Sequence, residues 1–131
     1  MNEVFYEIVD QICESDSRYH PDAYEFVMDA LSFTQKKYRR SKHVNGNEFL
    51  EGIKGLLLKQ YGPMTIPLLR FWGISKTDDF GNIIYNLEQH KIISRDDNDQ
   101  YESFKDRYDF QEVFENGYRK DLAKKLKTMR F

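Results

Sequence analysis

Only one cysteine, Cys13, occurs in the 131 residues. An intramolecular disulfide and a multi-cysteine metal site are therefore excluded. The expected state is a reduced, buried thiol in the cytosol, and the expected compartment is the cytoplasm. Histidines are also few. His20, His43 and His90 are not spaced four residues apart, and none stands beside a carboxylate in a ligand pattern, so no metal and no cofactor is expected. Long apolar runs are missing: none exceeds IPLL or GLLL in length, too short to cross a bilayer. The start, MNEVFYEIVDQI, is acidic and amphipathic, unlike the basic start and apolar run of a signal peptide. No nucleophile elbow, Walker loop or dinucleotide glycine pattern occurs; GNIIYN and GIKG are too weak to count. Internal repeats and low-complexity linkers are absent as well. The formal net charge of -2 argues against a purely electrostatic nucleic-acid binder.

Aromatic residues are abundant. Ten Phe and nine Tyr can bury a real core, because each ring removes a large area from water. The length fits one domain, residues 1–131, with a core over 1–116 and a basic helical tail over 117–131. The small net charge hides alternating blocks. Residues 1–35 hold eight acids and one base, net -7, and residues 36–60 hold seven bases and two acids, net +5. Residues 96–116 hold eight acids and two bases, net -6, and residues 117–131 six bases and one acid, net +5. The blocks are either solvated helix faces or complementary surfaces.

Hydrophobic spacing predicts helices. Val4, Ile8 and Ile12 recur every four residues, with Phe5 beside them. Pro21 suits a first helical position, and Tyr24, Val27 and Leu31 continue a helix to about Tyr38. Asn45 and Glu48 form a capping box before the stripe Phe49, Leu50, Ile53, Leu56, Leu57 and Tyr61, which Gly62-Pro63 stops. Gly52 and Gly55 inside that helix suggest a close approach by another. Pro67 places the start of the next helix near Thr65, and Trp72-Gly73 ends it. Ser75 or Thr77 is the expected cap of a helix whose buried stripe is Phe80, Ile83, Ile84 and Leu87. Ile92-Ile93-Ser94 and YESF, joined by DDNDQ, are read as a hairpin. Asp109, with Glu112 at the box position, caps a last helical region that Gly117 interrupts. The expected fold is mainly α, a single helical domain with a small β-hairpin, distantly winged-helix-like.

The stretches DSRYHPDAYEFV, HVNGNEFLEGI, QYGPM, LRFWGI and TDDFGNIIYNL resemble, in that order, the motifs of a family of hypothetical bacterial proteins with no assigned activity. The resemblance runs from about Ile8 to about Phe114. Pro67 and the basic tail after Gly117 depart from it. It implies a bacterial, soluble protein and no particular chemistry.

A helix-turn-helix is the obvious reading of the Gly73-Ile74-Ser75 turn, but the register argues against it. The positions six and nine after the turn glycine are normally apolar; here they are Asp79 and Asn82. Phe80 and Ile83 come one place later, a rotation of about 100 degrees. The helix also opens with Asp78-Asp79, and the hairpin would be acidic, so sequence-specific DNA reading is not expected. The expected function is a non-catalytic interaction module. Two basic segments can dock it on structured RNA or a ribonucleoprotein such as the ribosome: Lys36, Lys37, Tyr38, Arg39, Arg40 and Lys42, and Arg119, Lys120, Lys124, Lys125 and Lys127. One alternative is a protein–protein adaptor or homodimer using Tyr101, Phe104, Tyr108 and Phe131 as exposed anchors. Another is a small enzyme with a polar cluster of Asp16, Arg18, Tyr19 and His43; a structural ion pair that orders two loops is the competing reading.

Overall fold

The protein, seen in a computed structural model, is described over residues 3–41, 43–94 and 104–128. Helix α1 (Glu3–Ser15) buries Phe5, Val9 and Ile12. The expected Val4 stripe is thus rotated by one residue: Val4 is 59% exposed, because the larger Phe5 ring takes the inward place. Helix α2 (Pro21–Lys37) starts at its proline, and the His20 ring caps it by accepting the Asp22 N–H at 3.1 Å. Helix α3 (Gly46–Tyr61) carries the full capping box: Glu48 N–H donates to Asn45 Oδ1, and Asn45 N–H to Glu48 Oε1.

Helices α2 and α3 run antiparallel, with Phe26 stacked near Tyr61 at one end and Arg40 paired with Glu48 at the other. Gly52 makes their approach possible. A Cβ there would lie 1.8 Å from Thr34 Oγ1. Gly55 has more room, 3.7 Å from the Phe33 ring.

A 3-10 turn (Gly62–Met64) leads into α4 (Thr65–Trp72), where the Thr65 hydroxyl donates to the Gly62 carbonyl at 2.8 Å. Helix α5 (Thr77–Gln89) buries Phe80, Ile83, Ile84 and Leu87 against α2 and its neighbours. Neither Ser75 nor Thr77 caps it through its hydroxyl. The Asp79 carboxylate reaches back instead and accepts the N–H groups of Ser75 and Lys76. Thr77 spends its hydroxyl on the later chain, donating to the Phe104 carbonyl at 2.6 Å and accepting the Arg107 N–H.

Three helices end in one backbone motif. After α4, the Gly73 N–H donates to the Arg70 carbonyl and the Ile74 N–H to that of Leu69, with Gly73 at φ +84. The same pair of bonds closes α2 through Arg39 and Arg40, and α5 through Lys91 and Ile92. This is the Schellman arrangement, which turns the chain through one left-handed residue. Here Arg39 (φ 55) and Lys91 (φ 59) hold positions that glycine usually takes.

That motif overturns the hairpin. The Ile92 N–H is spent on the Leu87 carbonyl, so the segment wraps back onto α5 and has no donor to offer a strand. No strand occurs among the described residues, and the winged-helix-like expectation falls with the hairpin. Residues 95–103, including Tyr101, lie outside the described residues. Phe104, expected as an exposed anchor, is buried beneath Gly81, and Tyr108 is partly buried with its hydroxyl donating to the Leu50 carbonyl at 2.9 Å. Phe131 is also outside the described residues.

The last region begins as expected, with Asp109 Oδ1 accepting the Glu112 N–H at 3.0 Å. Residues Gln111–Gly117 then wind as a π-helix before α6 (Tyr118–Thr128) resumes the α pitch. Gly117 therefore marks a change of winding, and the helix continues through it. No helix among the described residues is long and apolar enough to cross a membrane.

Candidate functional site

The Trp72-Gly73 corner holds the α1–α2 loop in place. His20 N–H donates to the Trp72 carbonyl, and a Cβ on Gly73 would lie 2.1 Å from the Arg18 carbonyl oxygen. Only a glycine fits there, on space as well as on φ. The loop thereby presents Asp16, Arg18 and Tyr19 to one face of α5, whose residues Asp79, Asn82 and Asn86 recur at helical spacing.

The groups interlock. Tyr19 donates its hydroxyl proton to Asp79 Oδ1 at 2.6 Å and accepts from Asn82 Nδ2 at 2.9 Å. Asn86 Nδ2 donates to Asp16 Oδ2 and to the Tyr24 hydroxyl oxygen, both at 3.0 Å. Arg18 grips Asp16 with a fork: Nε to Oδ1 at 2.9 Å and Nη2 to Oδ2 at 2.7 Å. Its guanidinium also lies over the Tyr19 ring, 5.1 Å from the centroid. His43 is exposed, and none of these hydrogen bonds reaches it. Three of the four residues expected to cluster are brought together; the His43 loop is not.

Sequence reasoning missed Asp79, Asn82 and Asn86. Their signal was present: two of them are the polar residues that spoil the helix-turn-helix register. They face inward all the same, and Asp79 is only 8% exposed although Phe80 beside it is fully buried. Polar residues occupy those places because Tyr19 and the cap of α5 satisfy them.

The electrostatics fit groups that hold the loop on α5. The Arg18 hydrogen bonds hold the Asp16 carboxyl well below the usual carboxylate range. Burial, and then the Asp79 hydrogen bond, push the Tyr19 phenol far up; burial pushes the Tyr24 phenol up to about 12. Both phenols therefore stay protonated near neutral pH. Asp79 already accepts four hydrogen bonds, from Tyr19, Ser75 twice, and Lys76. No buried side-chain polar atom among the described residues lacks a partner.

A shallow cleft of about 360 Å³ lies beside this network, lined by Cys13, Arg18, His20, Phe71 and Trp72 among others. Its chemistry is muted. Burial pushes the Cys13 thiol up, and the thiol donates to the Tyr19 carbonyl at 3.7 Å. His20 has its Nδ1 occupied by the α2 cap and its ring stacked on Phe71, 4.8 Å between centroids. Among the described residues no three His, Cys, Asp or Glu side chains converge as a metal-binding group.

The basic segments have a different character. Lys36, Lys37 and Arg39 are exposed at the end of α2, and no carboxylate pairs with them among the described residues. Lys37 Nζ sits over the partly buried Tyr38 ring at 5.6 Å. Arg40 is tied to Glu48 at 3.0 Å, and Lys42 lies outside the described residues. The tail is barer still. Helix α6 buries none of its 11 residues. Arg119 pairs with Glu115, while Lys120, Lys124, Lys125 and Lys127 stand exposed around Leu122 (42% exposed) and Leu126 (58% exposed). The two segments do not form one patch at their roots. The first adjoins the Glu48 end of α3 and the second begins at Tyr118, beside Gly62. Sixteen residues of α3 separate those ends, about 24 Å.

Comparison with family models, with curated proteins and with solved structures finds no match.

Proposed function

We propose that the protein is a non-catalytic, cytoplasmic interaction module whose working element is α6, a basic amphipathic helix that docks on an acidic protein surface. The observation that carries this reading is the exposure of Leu122 and Leu126, one turn apart, on a helix that buries none of its residues and whose Lys120, Lys124, Lys125 and Lys127 pair with no carboxylate among the described residues. Beyond Tyr118, which lies beside Gly62, the residues of α6 are exposed, and a helix end without packing is marginal in water. A partner that covers the leucines and answers the lysines would supply what the fold withholds. Helices bind grooves in this way, through apolar residues at i and i+4 with charge setting the partner. The Asp16–Arg18–Tyr19–Asp79 network supports the same reading from the other side, since its groups are all engaged in holding the loop.

A second reading, docking on structured RNA, draws on the unpaired Lys36, Lys37 and Arg39 beside Tyr38. One experiment separates the two. A photo-crosslinking amino acid replaces Leu126 in the host cell, and adducts are examined with and without nuclease. A nuclease-resistant protein adduct that disappears on Lys124→Glu/Lys125→Glu is the expected result. A nuclease-sensitive adduct would favour RNA. No adduct at all would reject docking through α6.

A further inference from the structure

A surface that suits α6 exists on the chain itself. Helix α1 carries four acids and no base, net -4, while α6 carries five bases and one acid, net +4. The acids of α1 continue onto α2. The Tyr6 hydroxyl bridges the two helices by donating to Glu25 Oε1 at 3.2 Å. Among the described residues no lysine or arginine pairs with Glu7, Asp10, Glu14, Glu25 or Asp29. Asp22, Glu25 and Asp29 act together: after burial, their charges push the Tyr61 phenol up. The face also offers apolar area: Tyr6, beside Asp10 and Glu25, is 44% exposed. An acidic face with an exposed ring is thus the counterpart of a basic helix with two exposed leucines.

No ion pair joins the two within one copy among the described residues. Helix α6 grows out of the Gln111–Gly117 segment, and beyond Tyr118 its residues are exposed. We propose that α6 of one copy seats on the α1–α2 acidic face of a second copy, and that the exchange is reciprocal. Leu122 and Leu126 cover Tyr6, and Lys125, which flanks the leucines on the same side of α6, faces Asp10 and Glu25. Reciprocal seating satisfies both surfaces at once and closes at two copies. This inference rests on the reading of α6 as a docking helix and names its partner.

Sedimentation equilibrium on the purified full chain tests it. The expected mass at low ionic strength is twice 15.8 kDa. It should fall to that of one copy in about 1 M salt, where the Debye length is about 3 Å. Two variants take the net charge off one surface each: Lys124→Glu/Lys125→Glu brings α6 from +4 to 0, and Glu7→Lys/Asp10→Lys brings α1 from -4 to 0. All four side chains are exposed, so circular dichroism should be unchanged. Each variant alone should be monomeric. An equimolar mixture should regain the doubled mass, because the unaltered α6 of one variant then meets the unaltered face of the other, and at the second seat the side chains introduced by Lys125→Glu and Asp10→Lys meet with opposite sign. A wild-type chain that stays monomeric at low salt, or a mixture that fails to associate, would overturn the proposal. A monomeric chain together with a nuclease-resistant adduct at Leu126 in cells would overturn the second copy as partner and leave the docking function standing.

Discussion

Replacing Asp79 with alanine tests whether the polar network is a fastener. The Tyr19 hydroxyl, on a side chain 3% exposed, would lose its acceptor. An unmade buried donor costs about 1–3 kcal/mol. The N–H groups of Ser75 and Lys76 would also lose the carboxylate that caps α5, about 0.5–2 kcal/mol for a lost cap. Because Ser75 and Lys76 are exposed, water can replace part of that cap, and the sum expected is about 2–4 kcal/mol. Urea unfolding followed by the fluorescence of the single Trp72, which is buried, reads it directly. Tyr19→Phe should cost about 1 kcal/mol, since it removes the donor along with the bond. The informative quantity is the coupling. In the Tyr19→Phe background there is no phenol to orphan, so Asp79→Ala should cost about 1–3 kcal/mol less than in the parent. A cost for Asp79→Ala below about 1 kcal/mol, or one that is equal in the two backgrounds, would refute the structural account.

The helix approach at Gly52 gives a second test. Gly52→Ala should destabilise by about 1–2 kcal/mol, overpacking against Thr34 outweighing the better helix propensity of alanine; in a Thr34→Ala background the cost by urea midpoint should fall but persist, because the Cβ at position 34 still lies 2.8 Å away. Lys91→Gly should raise stability by about 1 kcal/mol in the same assay, because it relieves a left-handed residue at an exposed helix end. Asp16 gives a pH signature. A carboxyl depressed in the fold adds stability that is fully present above its unfolded value, about 4, and is lost as pH falls toward its folded value. Thermal unfolding should therefore show Asp16→Asn less stable than the parent at neutral pH, with the gap narrowing below about pH 4. A gap that is constant with pH would mean that the Arg18 pairing adds no stability.

Sequence made local features legible and hid those that depend on distant partners. The Asn45–Glu48 box, the Gly62-Pro63 stop, the start at Thr65 and the Asp109 cap are each written within four or five residues, and each is observed. The face of α1 was not decided locally. Val4–Ile8–Ile12 and Phe5–Val9–Ile12 fit a helix equally well, and only the packed core chooses between them. The hairpin failed for a different reason. A Schellman end is recognised by its glycine, and Lys91 in that place left two isoleucines looking like the start of a strand. In the candidate site, Asp16, Arg18 and Tyr19 could be grouped because they are neighbours in the chain. Asp79 and Asn82 lie some 60 residues from Tyr19, and nothing near Tyr19 announces them.

The motif stretches of the sequence can now be placed by what their residues do. Asn45 and Glu48 cap α3, Gly62 turns the chain into α4, and Gly73 lets the corner touch the Arg18 carbonyl. Asp79 caps α5 while holding Tyr19, and Gly81 admits Phe104. The distinctive residues of the chain are therefore its helix ends and close approaches, the points where few side chains meet the steric demand. Such residues specify a shape without specifying a reaction. What remains outside that framework is charge on exposed helices: the negative face of α1 and α2 and the positive α6. Neither is needed to bury the core, and each carries exposed apolar side chains among its charges. Surfaces of opposite sign that the fold leaves bare are where specificity for a partner can reside, and the mixing of two charge-altered chains asks whether that partner is the protein itself.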